Sequence, residues 1–342
     1  MVRFGMRITR FAALLVSLLM TLASCETDFD IFADKKEIVI VYGILDQTDS
    51  VHLIKINKAL PGSGNASQNA TIEDSSGFGG TLEVKLTESR NGTLHDIIFD
   101  TTSVYTKEPG LFYYPHQLLY KSYEHLDQDG IYTLNIRDGV TGTIVSATTP
   151  LIHDFEIENP GSNSISFEFK RKIVSEQMFR WVSAINGIRY QIIVRFFFKE
   201  SSAPGDTLLR SVEWSQDIEK SDNESAEQEM VSRYNNEKFF TTCTNYIPYA
   251  SLSKEDSVNM RQAYRVDFIF TVIGNDFNTY LDFNQPLVGV IQEKPEYSNI
   301  TNGIGLFSCR FSKTISRKIG QFTELDLMDI PNLKFVKNPD NY

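Results

Sequence analysis

The sequence predicts an all-β protein: an N-terminal immunoglobulin-like sandwich followed by a second β-rich, sandwich-like domain with one or two short helices. Three observations lead there. From Glu37 onward, apolar residues recur with period 2 in short runs. Clusters of Gly, Asn, Asp and Pro break those runs at close intervals. The 342 residues, 41% hydrophobic and 12% aromatic, are too many for one ordinary domain and enough for two cores.

Residues 1–24 read as an export signal. Arg3, Arg7 and Arg10 make a basic start, and Phe11 to Leu22 make an apolar run of 12 residues. A membrane span needs about 20 residues, so this run is too short to be one. It ends in Leu22-Ala23-Ser24-Cys25, which is similar to the lipobox of bacterial lipoproteins. The small residues suit a signal peptidase, and the thiol is the atom that would receive lipid. The likeness implies that Cys25 becomes the acylated first residue, with more than one chain holding it in the outer membrane. The competing reading is an ordinary secretory peptide with a chance cysteine. Residues 25–36 follow as an acidic tether. Glu26, Asp28 and Asp30 resemble the signal that sends Bacteroidetes lipoproteins to the cell surface, although a solvated tether would also be acidic. A chain beginning at Cys25 carries 30 basic and 44 acidic residues, a net charge of −14.

The first sandwich is expected over 37–150. Ile38 to Tyr42 is a nearly continuous apolar run, as in a strand covered on both faces. Val51 to Ile56 follows the Asp46–Asp49 turn, and 59–80 is a Gly/Ser/Asn-rich loop. Leu82 to Leu86, Ile97 to Phe99, Tyr132 to Ile136 and Ile144 to Ala147 supply further strands. Residues 151–163, with Asn159-Pro160-Gly161-Ser162-Asn163, read as a linker. The second domain is expected over 164–342. It opens with Ile165 to Phe169, and Tyr190 to Lys199 pairs with Leu208 to Trp214 across a turn at Ala203–Asp206. Residues 216–229 hold six acids and one lysine and read as an exposed loop. In Tyr264 to Ile273, Tyr264, Val266, Phe268, Phe270 and Val272 share one face. Phe277, Tyr280 and Leu281 behind Asn275 and Asp276 suit one capped helix.

The chemistry is sparse. A net charge of −11 argues against nucleic acid as a partner. The histidines His52, His95, His116, His125 and His153 have no metal-ligand spacing on a helix, and HExxH, Gly-x-Ser-x-Gly and Walker motifs are absent. No metal or cofactor is expected. Asp127-Gln128-Asp129-Gly130 lacks the downstream glutamate of a calcium loop and reads as a hairpin turn. Carboxylate pairs for glycoside hydrolysis depend on distance in space, and no pair stands out. After lipidation two thiols remain. Cys243 and Cys309 could form a disulfide, or Cys309, in the apolar Leu306-Phe307-Ser308-Cys309, could be a buried free thiol. Among the aromatic residues of 105–123, Tyr105, Tyr113, Tyr114 and Tyr123 are candidate ligand contacts, because aromatic faces stack on sugars. Ordinary core or interface packing is the competing reading.

Several stretches in order resemble one family. They are Cys25, Ile40-Val41-Tyr42-Gly43-Ile44-Leu45-Asp46, Ile54 to Ala59, Pro109-Gly110-Leu111-Phe112 and Tyr132 to Ile136. Tyr297-Ser298-Asn299-Ile300 and Asn302-Gly303-Ile304-Gly305-Leu306-Phe307 complete the set. Together they look like Bacteroidetes outer-membrane lipoproteins of the domain of unknown function 4249 family. The resemblance implies a surface lipoprotein with an immunoglobulin-like first domain, often encoded beside TonB-dependent receptors. It carries no catalytic residue. Asn-Gly here suits a tight turn before a buried Gly-Leu-Phe strand. Asp49-Ser50-Val51, Asp206-Thr207-Leu208 and Asp256-Ser257-Val258 resemble Bacteroidetes O-glycosylation sites, which would modify Ser50, Thr207 and Ser257. The expected function is therefore non-catalytic. It is binding of a glycan or peptide, or of a TonB-dependent receptor, in nutrient uptake. An adhesin or fimbrial subunit is the alternative, and an envelope hydrolase the least favoured reading.

Overall fold

The period-2 runs become strands. A computed structural model describes residues 37–59, 77–78, 82–105, 116–167, 176–203, 205–249, 258–285 and 296–341. Strands dominate these residues, the large sheets lie in a sandwich-like arrangement, and the all-β class holds. The first seven strands are β1 (Ile38–Leu45), β2 (His52–Ala59), β3 (Leu82–Arg90), β4 (Thr93–Val104), β5 (Gln117–Ser122), β6 (Ile131–Asp138) and β7 (Ile144–Pro150). β4 pairs twice: Thr93–Phe99 with β3, then Asp100–Val104 with β5. It thereby passes from one layer to the other. Val41, Leu45, Ile54 and Ile56 from one layer and Val84, Leu86, Leu134 and Ile136 from the other are buried in one core.

Later elements are β8 (Ile157–Asn159), β9 (Ser164–Ile165), β10 (Glu176–Val182), β11 (Arg189–Ala203), β12 (Asp206–Ser215), β13 (Glu219–Lys220) and β14 (Glu229–Asn235). After them come α1 (Asn236–Tyr246), β15 (Met260–Ile273), α2 (Asn275–Phe283), β16 (Ile304–Ile319), α3 (Gln321–Met328) and β17 (Phe335–Val336). A small sheet, β14-β10-β8, packs its aromatic side chains on the large one. Phe179 lies 5.2 Å from Phe268, and Trp181 lies 5.6 Å from both Phe270 and Tyr190. Aromatic rings bring large apolar area and favour such tilted and edge-on pairs, and this cluster is the aromatic half of one continuous core.

One strand joins the two halves. Ile304–Cys309 of β16 run parallel to Ile40–Leu45 of β1, while Arg310–Lys318 run antiparallel to Arg265–Ile273 of β15. The large sheet is therefore continuous, in the order β12-β11-β15-β16-β1-β2-β5-β4-β3-β6-β7. The turn before β16 takes the form its Asn-Gly sequence suggested. Asn302 has φ 59°, and its amide donates to the Ile144 carbonyl at 3.0 Å. Gly305 has φ +122°, and a Cβ there would sit 1.9 Å from the Val41 carbonyl oxygen. Only glycine fits that position. Leu306 and Phe307 after it are buried.

Five expectations change. The expected linker 151–163 is packed along its first part, while Gly161, Ser162 and Asn163 are exposed. Leu151, Ile152 and Phe155 are buried, and β8 within it pairs with β10, because its apolar residues plug the space beside Tyr190, Phe270 and Phe311. Three α-helices occur among the described residues, not one or two. α1 was hidden by its polar sequence, although Asn235 caps it through Glu237 N–H at 2.8 Å and Phe239, Phe240 and Cys243 point inward. Tyr264 does not share the face of Val266. A bulge pairs Phe197 with Arg265 and Phe198 with Ala263, which leaves Tyr264 as the extra, half-buried residue and puts Arg261 and Ala263 inward. The two faces of β1 are unequally covered: Val39, Val41 and Leu45 are buried, Ile40 and Ile44 are half-buried, and Ile38 and Tyr42 are exposed. Finally, of the two readings left open for the thiols the disulfide falls and the buried free thiol stands, for Cys243 as well as Cys309. Burial pushes both up, Cys309 to about 12, so they behave as small apolar groups.

The acids Asp217, Asp222, Glu224 and Glu227 of 216–229 face solvent as expected. Their backbone is nonetheless tied down, through β13 and through Asn186 N–H donating to the Glu224 carbonyl at 2.9 Å.

Gly305→Val should lower stability by more than about 3 kcal/mol in urea unfolding, because β16 must move off β1. Gly92→Ala, at φ +77° with open space around it, should cost only about 1 kcal/mol. Equal costs would contradict this account of β16.

Candidate binding cleft

The outward face of the sheet carries the site. Register places Ile40 beside Ile304, Tyr42 beside Leu306 and Lys55, and Ile44 beside Ser308, all on the face opposite the core. Helix α2 lies over β16 on this face, and its start depends on a close approach. Gly274 precedes it as N-cap, and a Cβ there would meet Cys309 Sγ at 2.8 Å. Neither Asn275 nor Asp276 caps the helix, contrary to expectation. Asp276 instead reaches out of the first turn and accepts from the Tyr297 hydroxyl and from Asn299 Nδ2 at 3.0 Å. The Asn299 amide also brackets Phe307, donating to its carbonyl at 2.7 Å and accepting from its N–H at 3.0 Å. Further along α2, Asn278 accepts from Arg189 Nε at 2.8 Å, and Asp282 pairs with Arg189 and with Lys220 at 2.8 Å. The helix is clamped at both ends.

Between α2 and the sheet opens a cleft of about 450 Å³. That volume lies in the range of small-ligand or side-chain pockets. Gly43, Ile44 and Leu306 form its floor, and Val51 and Leu53 form one side. Tyr42, Phe277 and Tyr280 form the other, with Tyr42 and Tyr280 edge-to-face at 6.3 Å. Burial, then the hydrogen bond with Tyr280 and the nearby Glu296 charge, push the Tyr42 hydroxyl up to about 12. It is thus a neutral hydrogen-bonding group at pH 7. At the mouth, Arg310 is fixed by Asp46 at 3.3 Å and Asp49 at 3.2 Å. Asp46 is itself buried and accepts from Thr48 N–H and Oγ1 at 2.9 and 2.6 Å. The result is an apolar slot with a preset ion pair at its mouth. Such a site binds by shape and apolar contact, with orientation set by a few polar groups.

The residues singled out from sequence lie elsewhere. Tyr105 is 72% exposed with its ring 5.7 Å from His116, and Tyr123 is 67% exposed with Lys121 Nζ 5.3 Å from its ring. They do not form one patch. Tyr105 follows the end of β4 that pairs with Gln117, whereas Tyr123 follows Ser122 at the other end of β5, about 20 Å away by strand rise. Tyr120 between them is buried. Ser50 and Thr207 are exposed. Cys25, Tyr113, Tyr114 and Ser257 lie outside the described residues. The cleft residues were missed because β1 is apolar at every position, which reads as two covered faces. The legible signal was Tyr280, one helical turn from Phe277 and aimed at the same side.

No protein-family model matches this chain, and no curated protein shows significant similarity to it.

The clamp predicts a pH dependence. Burial alone would raise the Asp282 carboxyl, but Lys220 and Arg189 outweigh it and hold it below the usual carboxylate range. A group lowered in the folded state contributes stability above its unfolded pKa and loses it as pH falls through the folded value. Asp282→Asn should therefore destabilise at pH 7, and the gap to the parent should close below about pH 4. Urea midpoints across that range measure it, and a gap that stays constant would contradict the pairing.

Proposed function

We propose that this chain is a non-catalytic lipoprotein of the outer-membrane surface, an accessory ligand- or receptor-binding component of a TonB-dependent nutrient uptake system. The observation that carries the binding role is the preformed cleft, set on paired strands, a clamped helix and the short turn between β1 and β2. A site held this rigidly loses little conformational freedom when it is filled. The anchoring role rests on the run Phe11 to Leu22 ending at Cys25, and the surface location on Glu26, Asp28 and Asp30. The ordered motifs from Ile40-Val41-Tyr42 to Gly305-Leu306-Phe307 support membership of the domain of unknown function 4249 family, and with it an immunoglobulin-like first domain. Surface exposure of Ser50 and Thr207 is what O-glycosylation there would require.

One observation favours an adhesin or fimbrial subunit as the second reading. β12 is an edge strand whose residues from Asp206 to Ser211 are all exposed, and an open edge can accept a strand from another chain.

Mass analysis of the mature N-terminus separates the two. Acylated Cys25 in the membrane fraction, lost in Cys25→Ser, and co-purification with an outer-membrane receptor are the expected results. A mature start well downstream of Cys25, with polymers on the cell surface, would replace this reading by the second.

A further inference from the structure

The cleft continues into an apolar stripe along the same sheet face. Ile38, Tyr42, Leu53 and Ile304 are 38%, 42%, 44% and 40% exposed, and Ile40 and Ile44 are half-buried between them. Exposed apolar area gathered in one place marks an interaction surface more often than scattered residues do. Ile38, Ile40, Tyr42 and Ile44 alternate along β1, so their side chains repeat about every 7 Å and the stripe runs for about 20 Å. An extended peptide has the same repeat, with alternate side chains on one side. A small ligand could fill the cleft at one end but would leave the stripe uncovered. Charge points the same way. At the cleft mouth two carboxylates, Asp46 and Asp49, face one cation, Arg310, while Lys55 and Lys121 stand beside Tyr42 and Leu53 across the strands. Because Arg310 is already held by two aspartates, the surplus at the cleft mouth is negative.

We propose that this face docks an extended segment of a partner protein, apolar at alternate positions, with one bulky side chain in the cleft and a basic residue beside Asp49. The inference rests on the binding role proposed above and names the partner's chemistry. The apolar anchor supplies the affinity, since a few well-buried side chains dominate such contacts. The basic residue sets direction along β1, because reversing the segment would carry its charge away from the Asp46–Asp49–Arg310 group and toward Ile38.

The test uses the full mature chain and a labelled seven-residue peptide, acetyl-Lys-Ser-Leu-Ser-Val-Ser-Val-amide, followed by fluorescence anisotropy. Replacing its Lys by Glu should weaken binding by about tenfold. Leu53→Arg and Tyr280→Ala should each weaken binding of the Lys peptide by about tenfold or more, with circular dichroism showing an unchanged fold. Asp49→Asn, which keeps the shape, should narrow the preference for Lys over Glu. Val140→Asp, in the exposed β6–β7 turn, should leave binding unchanged. Equal binding of the two peptides, or binding untouched by Leu53→Arg, would overturn the proposal. So would saturation of the cleft by octylamine or maltoheptaose in place of the peptide, or a dimer in sedimentation that Leu53→Arg dissolves. An unacylated Cys25 with peptide binding intact would instead refute only the anchoring part of the function.

Discussion

The structure depends on β16 being held by two different neighbours along its length. Its first half lies parallel to β1 and its second half antiparallel to β15, so one 16-residue strand belongs to both halves of the core. Parallel pairing of β1 with a strand 264 residues later is a long-range contact whose loop-closure entropy must be met by burial. Phe307, Cys309 and Phe311 on its inner face supply that burial. Gly305 makes the approach feasible, because any side chain would strike the Val41 carbonyl. Without this strand the outward face of β1 would lose its neighbour, α2 would have no sheet beneath it, and the cleft would have no floor.

The same constraint explains what was readable in the sequence. Strand identity was legible where alternation was clean, as in Leu82 to Leu86 and Tyr132 to Ile136, since period 2 leaves one side chain in two facing the core. The turn at Asn302 and the buried strand after Gly305 were legible because Asn and Gly have local conformational preferences. Helix α2 was legible from Phe277, Tyr280 and Leu281, but its capping was not, since Asp276 is committed to Tyr297 and Asn299, some twenty residues away. The packing of 151–163 was hidden for the same reason. Its Asn, Pro and Gly residues are turn formers, and only the neighbouring rings of Tyr190, Phe270 and Phe311 decide that Phe155 is buried.

The candidate site was the least legible part. Apolar residues at every position of β1 fit two covered faces and one covered face equally well. What distinguishes them is whether a helix or sheet spans the second face. α2 spans it only from Leu306 to Tyr42, leaving Ile38 and Ile304 in contact with solvent. The exposed tyrosines Tyr105 and Tyr123 drew notice as residue types, yet they sit at opposite ends of a hairpin. The residues that do converge come from three strands, one turn and one helix scattered between positions 42 and 310. Convergence of that kind is a property of topology, not of any local pattern.

Site and core are thus consequences of one shared strand, and native-state hydrogen exchange tests that directly. If β16 ties the halves into one cooperative unit, the amides of Val41 in β1 and of Phe268 and Phe270 in β15 should exchange through the same global opening, with equal free energies. Exchange of Val41 through a lower-energy opening that leaves Phe268 and Phe270 protected would show two units that unfold separately, and would contradict the account.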